Sequence, residues 1–354
     1  MTEITRIGLD IAKGVFQVHA VNAQEQVVVR KSLRRSQLLS WFGKLPPCLI
    51  GMEACGTANH WARELTALGH TVRLIPPAYV KAYVRRNKND AADAAAICEA
   101  VSRPSMRFVP IKTMEQQSEA LTHKARQMLI KQRTMTMNSF RSLMAEFGII
   151  VPQGPQHIGK LLAILADPED ARVPAVARAA LNTMSEVLLA LEKQIGALDD
   201  AIKAHARGNA TARRLDTIPG FGPILSSAIA AIVTDPKHFD SGRDFAASLG
   251  LVPRQDSTGG KTKLGPISKR GNGYLRRLLV NGATAVLNGK NARNDRADRL
   301  SLHRSALRPD PWLAKMLDSK PRKLAAVALA NKMARIAWAV MTRQEDFRPR
   351  AVAA

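Results

Sequence analysis

Short apolar segments and helical patterns alternate over the first hundred residues, and this order constrains the fold more than any other feature. The predicted strands cover residues 4–10, 15–21, 27–29, 48–53 and 71–75, and the predicted helices cover residues 36–45, 56–69 and 78–102. The first three strands follow one another across short turns, which favours an antiparallel meander. The order βββαβαβα predicts a mixed α/β domain with a five-stranded sheet.

Four acidic residues stand at informative places in this pattern. Asp10 and Glu53 end the apolar first and fourth strands, where an ionised carboxylate is costly unless it is paired or bound to a metal. Asp90 and Asp93 are three residues apart in an alanine-rich helical segment, so both lie on one helix face. Together the four acids can converge on one sheet edge and hold two Mg²⁺ or Mn²⁺ ions for in-line attack on a phosphodiester.

Each acid also has a structural interpretation when it is taken alone. Asp10 and Glu53 can be hydrogen-bonded structural acids, because not every carboxylate at a strand end belongs to a functional site. The helical pair can form a solvated acidic face, or Asp90 can serve as the N-cap of its helix. The joint arrangement of four acids is what favours the metal site.

The charge of the chain indicates its class of partner. Among 354 residues, 53 Lys and Arg stand against 29 Asp and Glu, which gives a net charge of +24. This surplus favours nucleic acid, with an anionic membrane surface as the alternative. The most apolar late segment, residues 324–341, is interrupted by charges, and the opening residues resemble no secretory signal, so we expect neither a membrane span nor export. Three scattered cysteines indicate neither disulfides nor a zinc site, and we expect a reducing cytoplasm.

Two helical regions fill the middle of the chain. Residues 113–150 carry apolar side chains at intervals of seven, and residues 181–206 show a cleaner heptad pattern. The first row is Met114, Leu121, Met128 and Met135, and the second is Met184, Leu188, Leu191, Ile195, Leu198 and Ile202. An antiparallel hairpin within one chain and a dimerising coiled coil both fit these patterns.

A basic, glycine-rich stretch lies between residues 249 and 277. Ser257 lies in a flexible glycine loop, where a hydroxyl can approach a phosphorus atom while neighbouring cations stabilise the developing charge. Ser268 and then Thr258 are the alternative hydroxyls. The cations of this stretch are Arg254, Lys261, Lys269, Arg270, Arg276 and Arg277. The residue types alone favour a loop that binds the DNA backbone, with Ser257 only a turn residue.

Further segments suggest contacts with a nucleic-acid backbone. Residues 215–224 look like a helix–hairpin–helix turn, in which backbone amides at a helix start meet a phosphate; the alternative is a plain glycine turn that connects two helices. Two cations of the closing helix lie at i and i+3 and face either phosphates or solvent. The candidate contacts are Arg213, Arg214, Gly220, Gly222, Lys332 and Arg335. The charged residues 291–310 are expected to face solvent or nucleic acid, and the tail is expected to be flexible.

Three motifs give the chain a specific resemblance. Residues 8–13 (GLDIAK), 52–56 (MEACG) and 88–94 (KNDAADA) resemble the DEDD transposases of the insertion-sequence 110 family, which includes the invertase Piv. The resemblance implies an RNase H/RuvC-like fold, in which Asp10, Glu53, Asp90 and Asp93 form the catalytic, metal-binding tetrad. Over the basic stretch it implies that Ser257 is the nucleophile and forms a covalent 5′-phosphoserine link to DNA.

The resemblance spans residues 8–338 and implies RNA-guided, site-specific recombination that moves an insertion sequence. A structured bridge RNA would pair with donor and target DNA, and dimers would assemble into a tetramer in which the RuvC-like domain of one subunit meets the serine domain of another. Because such proteins work as oligomers, we expect the heptads to make an intermolecular contact. We also expect a bacterial, nucleoid-associated protein.

The same resemblance suggests the domain boundaries. The expected parts are an α/β RuvC-like domain (1–112), a helical coiled-coil region (113–206), a mainly α transposase domain with the helix–hairpin–helix-like turn and the serine loop (207–345), and a flexible basic tail (346–354).

Two other functions fit the residues. A RuvC-like nuclease or junction resolvase would use water on the two-metal site and no serine. A non-enzymatic nucleic-acid-binding protein would keep the acids for structure alone.

Overall fold

The computed structural model describes residues 3–83, 90–288 and 311–348. The chain divides into two compact units, Met1–Met114 and Glu115–Ala354. The charged segment 291–310, the first two residues of the KNDAADA motif and the tail beyond residue 348 lie outside the described residues.

A five-stranded mixed sheet forms the centre of the first unit. Its strands are β1 (Arg6–Ile11), β2 (Val15–Val21), β3 (Val27–Arg34), β4 (Leu49–Glu53) and β5 (Thr71–Ile75), and its helices are α1 (Leu38–Phe42), α2 (Ala58–Ala67), α3 (Pro77–Val80) and α4 (Asp90–Val101). The strand order is β3-β2-β1-β4-β5. The first three strands are antiparallel, whereas β1, β4 and β5 run parallel. This arrangement confirms the α/β prediction and is consistent with a RuvC-like domain.

The two faces of β1 pack against different helices, because successive side chains of a strand point to opposite faces of the sheet. Ile7 and Leu9 are fully buried in the core that also contains Trp61 and Leu65 of α2. On the other face, α4 lies directly against the backbone of the sheet. A Cβ added to Gly8 would lie 2.7 Å from the Cβ of Cys98 in α4, closer than real Cβ atoms approach one another.

A second glycine allows the same close approach one strand further along. A Cβ on Gly51 of β4 would lie 2.7 Å from the Cβ of Val101, near the end of α4. The apolar side of α4, with Ile97 and Val101 buried, packs in a cluster with Ile75 at the end of β5. This packing holds the start of α4, which carries Asp90 and Asp93, over the end of β1, which carries Asp10.

The second unit is helical apart from one small β-hairpin among its described residues. Its helices are α5 (Met114–Ala145), α6 (Ile158–Ala166), α7 (Ala175–Gly208), α8 (Ala210–Asp216), α9 (Pro223–Ile232), α10 (Gly242–Ser248), α11 (Gly273–Asn288), α12 (Pro311–Ser319) and α13 (Arg322–Arg343), and its strands are β6 (Pro253–Gln255) and β7 (Leu264–Ile267). These elements confirm the prediction of a helical middle followed by a mainly α region.

The long helices α5 and α7 form an antiparallel pair within one chain. Arg126 of α5 makes an ion pair with Asp199 of α7, and Phe140 of α5 shares a core with Leu188 of α7. The heptad row of α7 is buried at Leu188, Ile195 and Ile202. The row therefore packs within the chain at these three positions, and the expectation of an intermolecular contact stays a prediction.

The apolar row of α5, in contrast to that of α7, is exposed to solvent. Met114, Leu121, Met128 and Met135 are all exposed, with between 55% and 64% of each side chain accessible. Met137, two residues after Met135, is buried in the core with α7. The row therefore lies on the side of α5 that faces away from α7.

The last helix, α13, is the central element of the remaining core. It is long and apolar enough to cross a membrane by length and composition alone, but 44% of its most apolar window is buried within the unit. Ala330, Met333 and Ala337 pack against α9, α10 and α11 in the largest apolar cluster. The chain then continues in contact with this core, since the amide of Phe347 donates to Thr217 Oγ1 at 2.9 Å. Phe347, the second residue of the predicted tail, is thus held against the core.

The close approach of α4 can be tested with one methyl group. Gly8→Ala should destabilise the first unit by about 1–3 kcal/mol, because the new Cβ must displace the backbone of α4. Gly14→Ala is the matched control, since a Cβ there meets nothing within 4 Å. Urea unfolding of both variants provides the measurement, and equal midpoints for the two would contradict the packing described here.

Candidate metal centre and serine hairpin

Three of the four predicted acids converge in the first unit. Asp10 stands near the end of β1, and Asp90 and Asp93 occupy the first turn of α4. One carboxylate oxygen from each lies within 4.8 Å of those from the other two. Asp10 and Asp93 are half-buried and Asp90 is exposed, so the cluster is open to a ligand on one side.

The electrostatics of this cluster indicate missing positive charge. Burial, and then the charges of Asp93, Asp90 and Glu53, raise the pKa of Asp10 to about 6, against a hydrogen bond from the backbone of Ile11. Among the residues that the structure describes in this unit, no lysine or arginine forms an ion pair with Asp10, Asp90 or Asp93. Carboxylate oxygens at this spacing suit a hard divalent cation, which would relieve the repulsion. The residues therefore fit a divalent metal.

Glu53 is close to this cluster but is not one of its three members. Glu53 ends β4, which runs parallel to β1. Leu9 of β1 is paired with Met52 of β4, so Asp10 and Glu53 are the next residues of the two strands. Its charge acts on Asp10, as the raised pKa shows. Asp90 is the first residue of α4, and the residue before it lies outside the described part, so its role as an N-cap stays a prediction.

Ser257 lies in the loop of the small hairpin of the second unit. Strands β6 and β7 pair antiparallel, and Gly259 and Gly260, both with positive φ, turn the chain at the tip. Ser257 is exposed, and its Oγ accepts a hydrogen bond from Gln255 Nε2 at 2.9 Å. A hydroxyl that accepts at Oγ keeps its own proton available for transfer.

The base of this hairpin is held rigidly. Gly250 and Gly271 both have positive φ, and a Cβ on either would overlap backbone atoms of the facing segment. Arg276 closes the base, because its Nη1 donates to the carbonyls of Leu249 at 2.8 Å and Arg270 at 2.9 Å. Arg276, predicted to bind nucleic acid, thus has a structural role in the chain itself.

The two alternative hydroxyls lie in different surroundings from Ser257. Ser268 follows β7 at the base, is half-buried, and its backbone amide donates to Val252 at 2.8 Å. Thr258 forms the closing bridge of the tip with Lys261. Exposure and freedom from strand pairing favour Ser257 among the three.

The predicted cations divide into exposed and half-buried side chains. The exposed ones are Arg213, Arg254, Lys261, Lys269, Arg270, Arg277 and Arg335, whereas Arg214, Arg276 and Lys332 are half-buried. The ammonium of Lys332 lies 4.8 Å from the centre of the Trp312 ring, and Arg277 stacks over Tyr274. The exposed group around the hairpin forms a basic surface that suits a phosphate backbone.

The helix–hairpin–helix-like turn joins α8 to α9. A Cβ on Gly220 would meet Gly282 of α11 at 2.8 Å from its carbonyl oxygen, so this glycine allows close packing of the turn against α11. Gly222 begins α9 with open space around its Cα and no side-chain cap. The packing role is observed for Gly220, and phosphate binding at Gly222 stays a prediction.

A buried polar network, which no sequence motif predicts, lies around His123 of α5. His123 of α5 is buried and contacts Tyr274 Oη and Ser227 Oγ, each at 3.0 Å. Burial, with the charges of Arg126 and His205, lowers the pKa of His123 to about 4, so the ring is neutral at physiological pH. These residues are distant in sequence, and no local pattern marks their meeting. The network ties the start of α11, just after the hairpin, to α5 and α9.

Addition of a divalent cation should stabilise the chain through this cluster. At 100 times its dissociation constant, Mn²⁺ or Mg²⁺ should add about 2.7 kcal/mol and raise the melting temperature. Asp10→Asn should abolish this rise, while the metal-free variant should be at least as stable as the wild type because it loses a repelled, half-buried charge.

The control for this measurement is Asp200→Asn, which removes an exposed carboxylate of the second unit that pairs with Lys203. It should keep the whole metal-dependent rise. A full rise in Asp10→Asn, measured in the same titration by thermal unfolding, would show that the ion binds elsewhere.

Two family models match the chain. Residues 7–149 match a DEDD transposase model of the IS110 group, described as "Transposase", and this segment contains the four acids. Residues 212–297 match the model described as "Transposase IS116/IS110/IS902 family", and this segment contains the serine hairpin.

Relatives cover the chain almost from end to end. A Pseudomonas aeruginosa protein described as "Probable family 20 transposase" is 48% identical over 98% of this chain and 99% of its own length. The transposase for insertion sequence element IS1328 of Yersinia enterocolitica is 40% identical over 98% of this chain and 99% of its own length. The transposase for IS1111A of Coxiella burnetii is 39% identical over 98% of this chain and 92% of its own length. The chain therefore belongs to the IS110 family of transposases, enzymes that cleave and rejoin DNA.

Proposed function

We propose that this transposase recombines DNA by means of a Mg²⁺-bearing carboxylate centre and a covalent serine intermediate. The observation that carries the proposal is the meeting of Asp10, Asp90 and Asp93 within 4.8 Å, with the pKa of Asp10 raised to about 6. Glu53 completes the set from the neighbouring strand. Mn²⁺ is expected to replace Mg²⁺ because both favour carboxylate oxygens.

The carboxylates position the centre and the serine makes the new bond. Bound at these carboxylates, the metal would supply charge stabilisation to the phosphoryl oxygens. Ser257 Oγ attacks a DNA phosphorus, the bond from phosphorus to the 3′ oxygen breaks, and the leaving 3′ oxygen takes up a proton as Ser257 loses one. The resulting 5′-phosphoserine keeps one ester bond for each one broken, so a second 3′ hydroxyl can reverse the step and rejoin the DNA.

The exposed cations of the hairpin would hold the DNA backbone for this attack. Arg254 and Lys261 flank Ser257 on the two sides of the loop, and both are exposed. Positive charges placed before the reaction stabilise the negative charge that develops on the phosphoryl group. Gln255 keeps the Ser257 Oγ in one orientation through its amide.

A nuclease or junction resolvase that uses water remains the second candidate function, because the carboxylate centre alone serves both chemistries. A purely non-enzymatic function does not fit, since the chain belongs to a family of enzymes. A covalent protein–DNA adduct distinguishes the two remaining candidates.

Ser257→Ala should abolish the adduct, because no hydroxyl remains at the tip to attack phosphorus. Denaturing gel electrophoresis of labelled DNA from the element ends, followed by protease digestion, measures the adduct. Ser268→Ala is the matched control and should keep it. An adduct that persists in Ser257→Ala and is lost in Ser268→Ala would assign the nucleophile to the base of the hairpin, and no adduct in the wild type would favour water.

We also propose that a structured bridge RNA guides the enzyme to donor and target DNA. The net charge of +24 supports the simultaneous binding of more than one polyanion. The purified protein should carry an RNA from the non-coding end of its element, with two loops complementary to the element ends and the insertion site. Such a protein would act in the bacterial cytoplasm at the nucleoid.

The working assembly is proposed to be a homotetramer built from dimers. The first unit of one subunit and the serine hairpin of another would together form each composite site. The exposed row of Leu121, Met128 and Met135 supports a contact between chains, because apolar side chains at intervals of seven suit the seam of a helix pair.

Replacing this row with glutamine should lower the oligomeric state without unfolding α5. Leu121, Met128 and Met135 are changed together, and light scattering after size-exclusion chromatography gives the mass. The control changes Val187 and Leu189 of α7, which are 49% and 53% exposed, to glutamine and should keep the wild-type mass. An unchanged mass in the triple variant would remove this row from the interface.

A further inference from the structure

A groove opens beside the carboxylate cluster, on the same side of the sheet. It lies between α4 and the strands β2 and β3 and has a volume of about 400 Å³. Its lining residues are Gln17, Val18, His19, Arg30, Lys31, Ser32, Ala91, Ala92 and Ala95. Small-molecule sites typically span about 300–1,000 Å³, so the groove is large enough for a compact ligand.

The groove is continuous with the candidate metal centre. Gln17 of β2 is the direct partner of Asp10 of β1 in the antiparallel register. Directly opposed residues of an antiparallel pair are only about 4.5–5.5 Å apart at their Cα atoms. On the other wall, Ala91 and Ala92 lie between Asp90 and Asp93 in the same turn of α4. An extended ligand that is bound at the metal centre can therefore continue into the groove.

The floor of the groove offers neutral hydrogen-bonding groups. Gln17 lies opposite Ser32 of β3 in the register, and Ser32 Oγ donates to Gln17 Oε1 at 2.8 Å. This bond uses the amide oxygen and leaves the NH₂ group of Gln17 to donate to a ligand. His19 is half-buried, and burial together with Arg30 and Arg6 lowers its pKa, so its neutral ring offers one donor and one acceptor.

The remaining sides add two exposed cations, Arg30 and Lys31, and an apolar wall. Arg30 lies opposite His19 in the register and is exposed at the rim. The α4 wall consists of the methyl groups of Ala91, Ala92 and Ala95, so no long side chain of this helix fills the space. Amide and imidazole groups suit the edge of a nucleobase, methyl groups suit the face of its ring or sugar, and a guanidinium suits a phosphate.

We propose that this groove holds one unpaired nucleotide of the DNA strand, next to the phosphate that a metal ion at Asp10, Asp90 and Asp93 would hold. The proposal rests on the function proposed above, since it assigns the strand at the carboxylates to DNA. Gln17 and His19 contact the hydrogen-bonding edge of the base in place of a partner base, and Arg30 contacts the flanking phosphate. Gln17, His19 and Arg30 are thus positioning residues that set where the strand lies relative to the metal centre.

Photo-crosslinking with a short single strand locates the nucleotide directly. The probe is an eight-residue oligothymidylate that carries 4-thiothymidine, used with the full-length protein and Mn²⁺, and mass spectrometry maps the crosslinks. In the wild type, crosslinks should fall on residues 17–32. The double variant Gln17→Ala, His19→Ala and the single variant Arg30→Ala should each reduce these crosslinks by about fivefold to tenfold, as expected for the loss of one or two hydrogen bonds.

Two controls keep the experiment specific. Lys44→Ala removes an exposed cation of the same unit outside the groove and should change the crosslinks by less than twofold. The melting-temperature rise with Mn²⁺ should be retained in the groove variants, which shows that the carboxylate centre is intact. Loss of that rise in the wild type would instead count against the proposed function, so failure of the metal centre and failure of the groove are distinguishable.

Two results would overturn the assignment. Wild-type crosslinks that avoid residues 17–32, or that persist unchanged in the groove variants, would show that the strand runs elsewhere. A matching oligouridylate that crosslinks in the groove more strongly than oligothymidylate would assign the groove to RNA and not to DNA.

Discussion

The close packing of α4 on the sheet is the contact on which the candidate metal centre depends. Gly8 and Gly51 have no side chains, so the helix backbone reaches the backbones of β1 and β4 directly. A helix held one side chain further away would place Asp90 and Asp93 out of reach of Asp10. The two glycines therefore determine the spacing of three carboxylates whose oxygens lie within 4.8 Å.

The same packing creates an electrostatic imbalance that the chain does not correct within the described residues. Like charges and burial raise the pKa of Asp10, and a divalent cation at this point supplies the missing positive charge. Alanine at the neighbouring positions of α4 has two consequences. It keeps the helix close to the sheet, and it leaves the adjoining groove open above Gln17 and His19.

The second unit carries an exposed hydroxyl, that of Ser257, on a β-hairpin whose base is tightly packed. Arg276 and the glycines at positions 250 and 271 hold the lower part of the hairpin, while its tip with Ser257 stays exposed. The pairing of α5 with α7 covers the cleaner heptad and leaves a less regular apolar row on the outside. Heptad regularity thus indicated helix packing correctly for α7, although it did not identify which apolar row stays exposed.

Local patterns in the sequence predicted the order of strands and helices, the four acids and the basic serine loop, and three motifs identified the family. These follow from local patterns, because side-chain periodicity and turn residues act over a few positions. Other features appear only in the folded chain: Arg276 closes the base of the hairpin, Gly220 packs against α11, His123 contacts Tyr274, and a groove adjoins Asp10. Such contacts join residues far apart in the chain, and they depend on how closely whole elements pack, which no local pattern encodes.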